Sequence, residues 1–273
     1  MPPPEKLYVY EIEGRVNPPA ELTALDFLGC WREGACSYLF FSAPREEEVK
    51  AWLAANPDQG TFLSVTDLNY ADWEAGQALK PTRVAGFYLC PVWEEPQPEP
   101  GDITLHLEPG LAFGSGYHPT TRLCLELLRQ VFQTETPGRV LDLGTGTGVL
   151  SLAALALGAR QVIAVEYNDL AVHAAARNLR HNAGEQDILL IHGDARHFAY
   201  LPADLALANI HLDVLLDLLD LPEFFDKQWY IFSGLLGTQI ERFLAALAAA
   251  PLEPVTVLDE NLWYAVLAGR RDR

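Results

Sequence analysis

The stretch VLDLGTGTGVLSLAALALGA, Val140 to Ala159, sets Gly144, Gly146 and Gly148 between a short apolar run and a long one rich in Ala and Leu. RVLDLG reads as a strand and VLSLAALALG as a strong helix former. A strand that turns through glycines into a helix lets a ligand approach the backbone, because glycine has no Cβ and accepts positive φ. The same residues also serve a plain tight turn. The spacing is G-T-G-T-G, and Val149 stands where a dinucleotide fingerprint places its third glycine, which weakens a nicotinamide reading. QVIAVE then ends in Glu166. A carboxylate at the end of the second strand can accept both hydroxyls of a ribose, or it can be a solvated strand-end charge. ADLALANI ends in Asn209, at a strand's carboxyl end where α/β folds bind ligands; its alternative use is to cap the helix LDVLLDLL. His118 precedes Pro-Thr-Thr, where histidine holds a loop more often than it acts as a base. Ser233 has no His/Asp partners in a nucleophile arrangement, so hydrolase chemistry is not supported.

The elements around these residues alternate from Ile103 onward. RVLDLG, QVIAVE, DILLIHG and ADLALANI are short apolar runs with helical stretches between them, as expected for a parallel sheet covered on both faces. LEPVTVL and NLWYAVLAG, separated only by DEN, predict a terminal antiparallel hairpin. The amino-terminal part reads differently. LYVYEIEG is a strand, ELTALDFL a short helix, ACSYLFFSA a strand after a WREG turn, EEEVKAWL a helix and TFLSVTDL a strand, giving an approximate βαββαβ order. The expectation is a small α+β, ferredoxin-like domain over residues 1–68, a linker over 69–102 and an α/β domain over 103–273. Within the linker, DWEAGQALKP predicts a short helix, FYLCPVW a strand and EEPQPEPGD an exposed connector.

Composition narrows the function classes. Net charge is −18, and a field of that sign repels phosphate backbones; it favours a cationic cofactor or a basic protein, or simply keeps the chain soluble. No direct nucleic-acid binding is expected. Cys30, Cys36, Cys90 and Cys124 show no CxxC spacing and the histidines form no HExxH, so no metal is expected. MPPPEKLYVY holds no apolar signal stretch, and Val149–Ala159 is far below the ~20 residues that span a bilayer. The expectation is a cytoplasmic protein with no membrane partner.

Four stretches in order carry a family resemblance: LEPGLAFGSGYHPTTRLCLELL, VLDLGTGTGVLSLAALALGA, ALANI and FSGLLGTQIERF. Residues 103–273 resemble class I S-adenosylmethionine-dependent methyltransferases. More narrowly, the chain resembles the bacterial ribosomal protein methyltransferase family PrmA, with AFGSGYHPTT as its most specific stretch. The resemblance implies a seven-stranded, mostly parallel Rossmann-like sheet. It implies S-adenosyl-L-methionine as cofactor and transfer of its methyl group to lysine or amino-terminal amines of a basic ribosomal protein of the large subunit. It further implies that Phe113, Gly114, Thr121, Asp142, Gly144, Gly146, Gly148, Glu166 and Asp194 contact the cofactor, and that Asn209 lines the pocket where methyl donor and amine meet. The small domain would grip the protein substrate. Three places depart from the family pattern: a shortened Asp72–Pro81 segment, His211-Leu212 after ALANI, and PEFFDKQWYIFSG where a Pro-Gly-Gly turn is usual. Rival readings are a related methyltransferase with another protein or small-molecule acceptor, a non-catalytic adenosyl-binding protein and, at a distance, an oxidoreductase.

Overall fold

The computed structural model describes residues 4–23, 26–70, 80–108 and 110–271. The chain divides into two compact units, Met1–Leu79 with Asn168–Leu170, and Lys80–Tyr167 with Ala171–Arg273.

The first unit runs β1 (Lys6–Glu13), α1 (Ala20–Thr23), β2 (Phe27–Glu33), β3 (Cys36–Phe41), α2 (Glu46–Ala55) and β4 (Thr61–Asn69). Its sheet has the order β2-β3-β1-β4 with every pair antiparallel, the ferredoxin-like arrangement. Alternation along the strands sends Tyr10 and Ile12 of β1, and Leu39 and Phe41 of β3, to one face, where Val49 and Leu53 of α2 cover them. One boundary differs from the sequence reading. ELTALDFL is not a single helix, because Phe27 and Leu28 already belong to β2. Phe27 lies opposite Phe41 with ring centroids 5.2 Å apart, and a bulge next to Gly29 adjusts the register. Cross-strand aromatic packing outweighs the local helical preference there. The helix expected within DWEAGQALKP falls at 71–79, outside the described residues.

The second unit opens with β5 (Thr82–Val84), β6 (Phe87–Pro91) and β7 (Ile103–Leu107), a three-stranded sheet in which β6 and β7 are parallel. Between β6 and β7, residues 94–101 are exposed, as the acidic, proline-rich composition predicts. There follow α3 (Pro119–Thr134), β8 (Arg139–Leu143), α4 (Val149–Ala156), β9 (Gln161–Glu166), α5 (Asp169–His181), β10 (Ile188–His192), β11 (Leu205–Asn209), α6 (Leu212–Leu219), β12 (Trp229–Leu236), α7 (Ile240–Ala249), β13 (Leu252–Glu260) and β14 (Trp263–Arg270). The seven-stranded sheet has the order β10-β9-β8-β11-β12-β14-β13. It is parallel from β10 through β12, and β13–β14 closes it as the antiparallel hairpin read from the sequence. This order, with five parallel strands and a closing antiparallel hairpin, is the Rossmann-like arrangement that the family resemblance implies.

Each parallel strand feeds two cores. Val140, Val162, Leu205 and Leu207 face the side covered by α3 and α4, with Leu125, Leu128 and Leu152. Leu141, Leu143, Val165 and Phe232 face the side covered by α6 and α7, with Leu215, Leu218 and Phe243. Burial on both faces explains why these strands are continuous apolar runs. Ahead of β12, PEFFD forms a 3₁₀ turn that buries Phe224 against Tyr230. Beside it the buried Lys227 donates from Nζ to the Ala199 carbonyl at 2.9 Å and pairs with Asp226. Burial lowers the Lys227 pKa. The four cysteines are free, and three of them are buried. Among the described residues, no helix is long and apolar enough to cross a membrane and no cluster of His, Cys, Asp or Glu could hold a metal ion.

Candidate functional site

The glycine loop joins β8 to α4 at the carboxyl end of the sheet. All three glycines have positive φ. At two of them the protein itself takes the space a side chain would need. A Cβ on Gly146 would stand 2.4 Å from the Phe113 carbonyl oxygen, and one on Gly144 would stand 2.2 Å from Ile210 Cγ2. Backbone bonds then fix the turn: Gly144 N and Thr145 N both donate to the Val165 carbonyl, at 2.8 and 3.1 Å. Gly146 N donates to Glu166 Oε2 at 2.9 Å, so the strand-end carboxylate is held against the loop.

Asp142 lies under this turn and is 1% exposed. Its Oδ2 accepts hydrogen bonds from Thr145 Oγ1 and Ser151 Oγ, both at 2.6 Å. Burial pushes its pKa up to about 6; the two hydroxyls pull it down and the nearby Glu166 carboxylate adds to the rise. The hydroxyl residues of GTGTGVLS therefore form a buried belt that stiffens the loop from below.

A second loop crosses the first. Thr147 N donates to the Phe113 carbonyl at 2.9 Å, and Thr147 Oγ1 to the Gly114 carbonyl at 2.8 Å. Asn178 in α5, fully buried, donates to the Thr147 carbonyl and accepts from Glu108 N. The Phe113 ring remains 49% exposed over this junction. Its edge contacts His118, whose other side meets Trp263 of β14, at centroid distances of 4.9 and 4.6 Å. His118 is the N-cap of α3: its Nδ1 accepts from Thr120 N and bonds Thr120 Oγ1 at 2.8 Å. Burial, with Arg122 nearby, lowers its pKa. The loop-holding reading of His118 is the one the geometry supports. Thr121, in the first turn of α3, is fully buried, and its Oγ1 has no hydrogen-bond partner among the described residues.

Asn209 ends β11, paired with Ser233 of β12. It does not cap α6, because the N-cap is His211, which makes no side-chain cap bond. Asn209 Oδ1 is buried without a hydrogen-bond partner among the described residues. An amide oxygen kept from water costs roughly 1–3 kcal/mol when unsatisfied, which marks it as a group awaiting a donor. Asp194, after β10, caps the 3₁₀ turn 195–197 by accepting from Arg196 N. The Arg196 guanidinium grips both its oxygens, at 2.9 and 2.6 Å, and also reaches Asp217. That grip holds the Asp194 pKa below the usual carboxylate range.

The contacts thus bring eight of the ten expected residues into one connected assembly. Gly144, Gly146, Gly148, Asp142 and Glu166 form the turn, Phe113 and Gly114 are bonded to it, and Asn209 adjoins it through Ile210. Thr121 reaches it through the helix that His118 caps, whereas the recorded bonds of Asp194 run to Arg196. The residues fit an adenosyl amino acid: three buried oxygens without partners among the described residues, on Thr121, Asp142 and Asn209, a carboxylate at a strand end and a glycine turn in which Gly144 and Gly146 stay half-buried. Sequence reading missed Thr147, Ser151, Asn178, Ile210 and Trp263. A signal existed only for the first two, as hydroxyls inside an otherwise apolar and glycine stretch.

A family model described as ribosomal protein L11 methyltransferase (PrmA) matches residues 30–271. A ribosomal protein L11 methyltransferase of Symbiobacterium thermophilum is 35% identical over 229 residues, covering 81% of this chain and 72% of the relative. One of Pelobacter propionicus is 35% identical over 247 residues, covering 84% and 78%. Among solved structures, the ribosomal protein L11 methylase of Lactobacillus delbrueckii subsp. bulgaricus superposes with a TM-score of 0.60 at 30% identity, covering 68% of this chain and 96% of that one.

Proposed function

The chain belongs to the ribosomal protein L11 methyltransferase family, and from that premise we propose that it transfers methyl groups from S-adenosyl-L-methionine to amines of ribosomal protein L11. Lysine side chains and the amino terminus are the proposed acceptor groups. The single observation that carries the assignment of this site is the buried, donor-less Oδ1 of Asn209 at the end of β11, next to a glycine turn clamped by Glu166.

S-Adenosylmethionine, when bound, supplies an electrophilic methyl carbon on a cationic sulfur. The chain's own residues have three tasks. Glu166 would hold the ribose hydroxyls, exchanging or sharing its bond from Gly146 N; Gly144 to Gly148 would seat the amino-acid portion, with Asp142 stiffening the turn. Thr121 would offer its buried hydroxyl, Phe113 and Gly114 would cover the cofactor, and Asp194 would serve its adenine. Asn209 accepts a hydrogen bond from the incoming amine and so aims the nitrogen lone pair. A free lysine has a pKa near 10.4, so a neutral amine at pH 7 costs roughly 4.6 kcal/mol. Desolvation beside a positive charge lowers an ammonium pKa, by up to about 3–5 units at fully buried sites, which supplies most of that cost without a dedicated base. The bound cofactor would supply the methyl and keep the C–S electron pair, and the amine that Asn209 aims would release its proton to solvent.

In the proposed division of labour, residues 1–68 grip the ribosomal protein while the second unit performs transfer. The test incubates the purified protein with labelled S-adenosylmethionine and a mixture of large-subunit ribosomal proteins. Label on the L11 band is expected; label elsewhere assigns another acceptor, and no label with tight S-adenosylhomocysteine binding by calorimetry leaves only an adenosyl-binding protein. Preference for NAD in the calorimeter would end the methyltransferase assignment.

A further inference from the structure

Asn209 can aim an amine only if its own backbone is fixed; the ladder pairing with Ser233 holds it on one side, and the next residue in the chain holds it to the glycine turn. Ile210 follows Asn209 and sits between two glycines of left-handed φ on the flanking strands. On one side is Gly144, after β8, with φ +78°; on the other is Gly234, in the bulge of β12, with φ +86°. A Cβ on Gly144 would meet Ile210 Cγ2 at 2.2 Å. A Cβ on Gly234 would meet the Ile210 carbonyl oxygen at 2.3 Å and its carbonyl carbon at 2.9 Å. Ile210 N donates to the Ser233 carbonyl at 3.2 Å, and Ser233 Oγ donates to the Tyr264 carbonyl at 2.8 Å. The side chain of Ile210 is therefore keyed into the cofactor turn while its backbone is clamped by β12.

We propose that Ile210 is a positioning residue: its Cγ2 methyl, lodged against Gly144, sets the Asn209 amide with respect to the glycine turn, so that cofactor seat and amine acceptor move as one piece. This rests on the methyltransferase reading of the same site. The methyl that matters is the branch on Cβ, and this distinguishes a key from a filler. Valine keeps Cγ2 and loses only Cδ1. Leucine conserves volume but has no branch at Cβ. A site that needs only bulk tolerates leucine better than valine; a keyed site tolerates valine and rejects leucine.

The experiment compares Ile210→Val and Ile210→Leu in three measurements. In L11 methylation at saturating cofactor, the valine variant keeps most of the turnover, and the leucine variant loses about 10- to 100-fold, the scale of an ångström of misplacement. In an Asn209→Ala background, Ile210→Leu adds less than about a threefold loss, because it acts through Asn209. In the ligand-free protein, hydrogen exchange of the amides of Gly144, Thr145 and Ile210 accelerates together in the leucine variant and stays protected in the valine variant. Retained turnover in Ile210→Leu, a valine variant as impaired as leucine, a full additional loss in the Asn209→Ala background, or exchange that loosens at neither or only one segment overturns the proposal. Should wild-type protein fail to methylate L11, the substrate reading falls, and the exchange measurement alone decides whether Ile210 is the key.

Discussion

Two side chains carry opposite electrostatic duties on neighbouring strands, Asn209 on β11 and Asp142 on β8. Asn209 is neutral and its Oδ1 has no hydrogen-bond partner among the described residues, so it can receive an amine without adding charge beside a sulfonium. Replacing it by Ala is expected to lower turnover by about 10²-fold, the scale of losing an oriented hydrogen bond in the transition state. S-Adenosylhomocysteine affinity should stay within a few-fold; unchanged turnover at saturating cofactor would remove Asn209 from the mechanism. Asp142, in contrast, is a buried carboxyl whose pKa burial raises to about 6, above the ~3.9 of an unfolded aspartate. The folded state binds that proton more tightly, so the stabilisation from this group is fully present below about pH 4 and is lost as pH rises through 6. Asp142→Asn removes the titration. Its Tm relative to wild type should therefore climb between pH 4 and pH 6.5, by the equivalent of on the order of 3 kcal/mol. A constant difference in Tm across that range would show that the carboxyl is not perturbed. The hydroxyls of Thr145 and Ser151 limit the effect from above, since each stabilises the ionised form and so opposes the rise.

At the scale of elements, the glycine turn and the loop of Phe113 behave as one body, because they share a backbone bond and an atomic contact. Gly146 is where this is tightest. Alanine there would carry φ +57° and press its Cβ to 2.4 Å from the Phe113 carbonyl. The left-handed backbone costs about 1–3 kcal/mol and the clash with backbone adds to it. Gly146→Ala is expected to lower Tm by about 6–12 °C and to weaken S-adenosylhomocysteine binding, since the Gly146 amide also bonds Glu166. Full affinity in that variant would mean that the two loops are independent. The same element shows what could be read in advance. β8, β9, β10 and β11 were legible because strands buried on both faces are unbroken apolar runs, and the terminal hairpin because only DEN separates two such runs. Three glycines announced a turn, but not that Ile210 and the Phe113 carbonyl fill the space beside two of them, since both partners come from distant parts of the chain. β5 has only three residues, too short for any period, and β2 is bulged at Gly29 and continues directly from what reads as a helix. Asn209 was legible by its place at a strand end; that it is no cap depended on α6 starting at Leu212 rather than Ile210.

For the whole molecule, the largest electrostatic quantity is its net charge of −18. Part of it lies in the exposed stretch between β6 and β7, where Glu94, Glu95 and Glu99 stand in solvent and Arg83 offsets only the last and Asp102. We propose that so acidic a chain acts on a basic acceptor, because opposite fields raise the rate of encounter without altering the chemistry at the nitrogen. Salt then separates the two steps. The screening length falls from about 10 Å at 0.1 M to about 3 Å at 1 M, so charges on the surface lose their reach while the buried Oδ1 of Asn209 and the buried Asp142 carboxyl are little affected. Between ~50 and ~500 mM salt, KM for the ribosomal protein is expected to rise several-fold while kcat holds nearly constant. S-Adenosylhomocysteine affinity, set inside the pocket, should change much less. If KM stays flat, recognition rests on apolar and hydrogen-bonded contacts, and the acidity serves solubility alone. If kcat falls as KM rises, the charges act at the transfer step, and the assignment of aiming to the neutral Asn209 amide loses its basis.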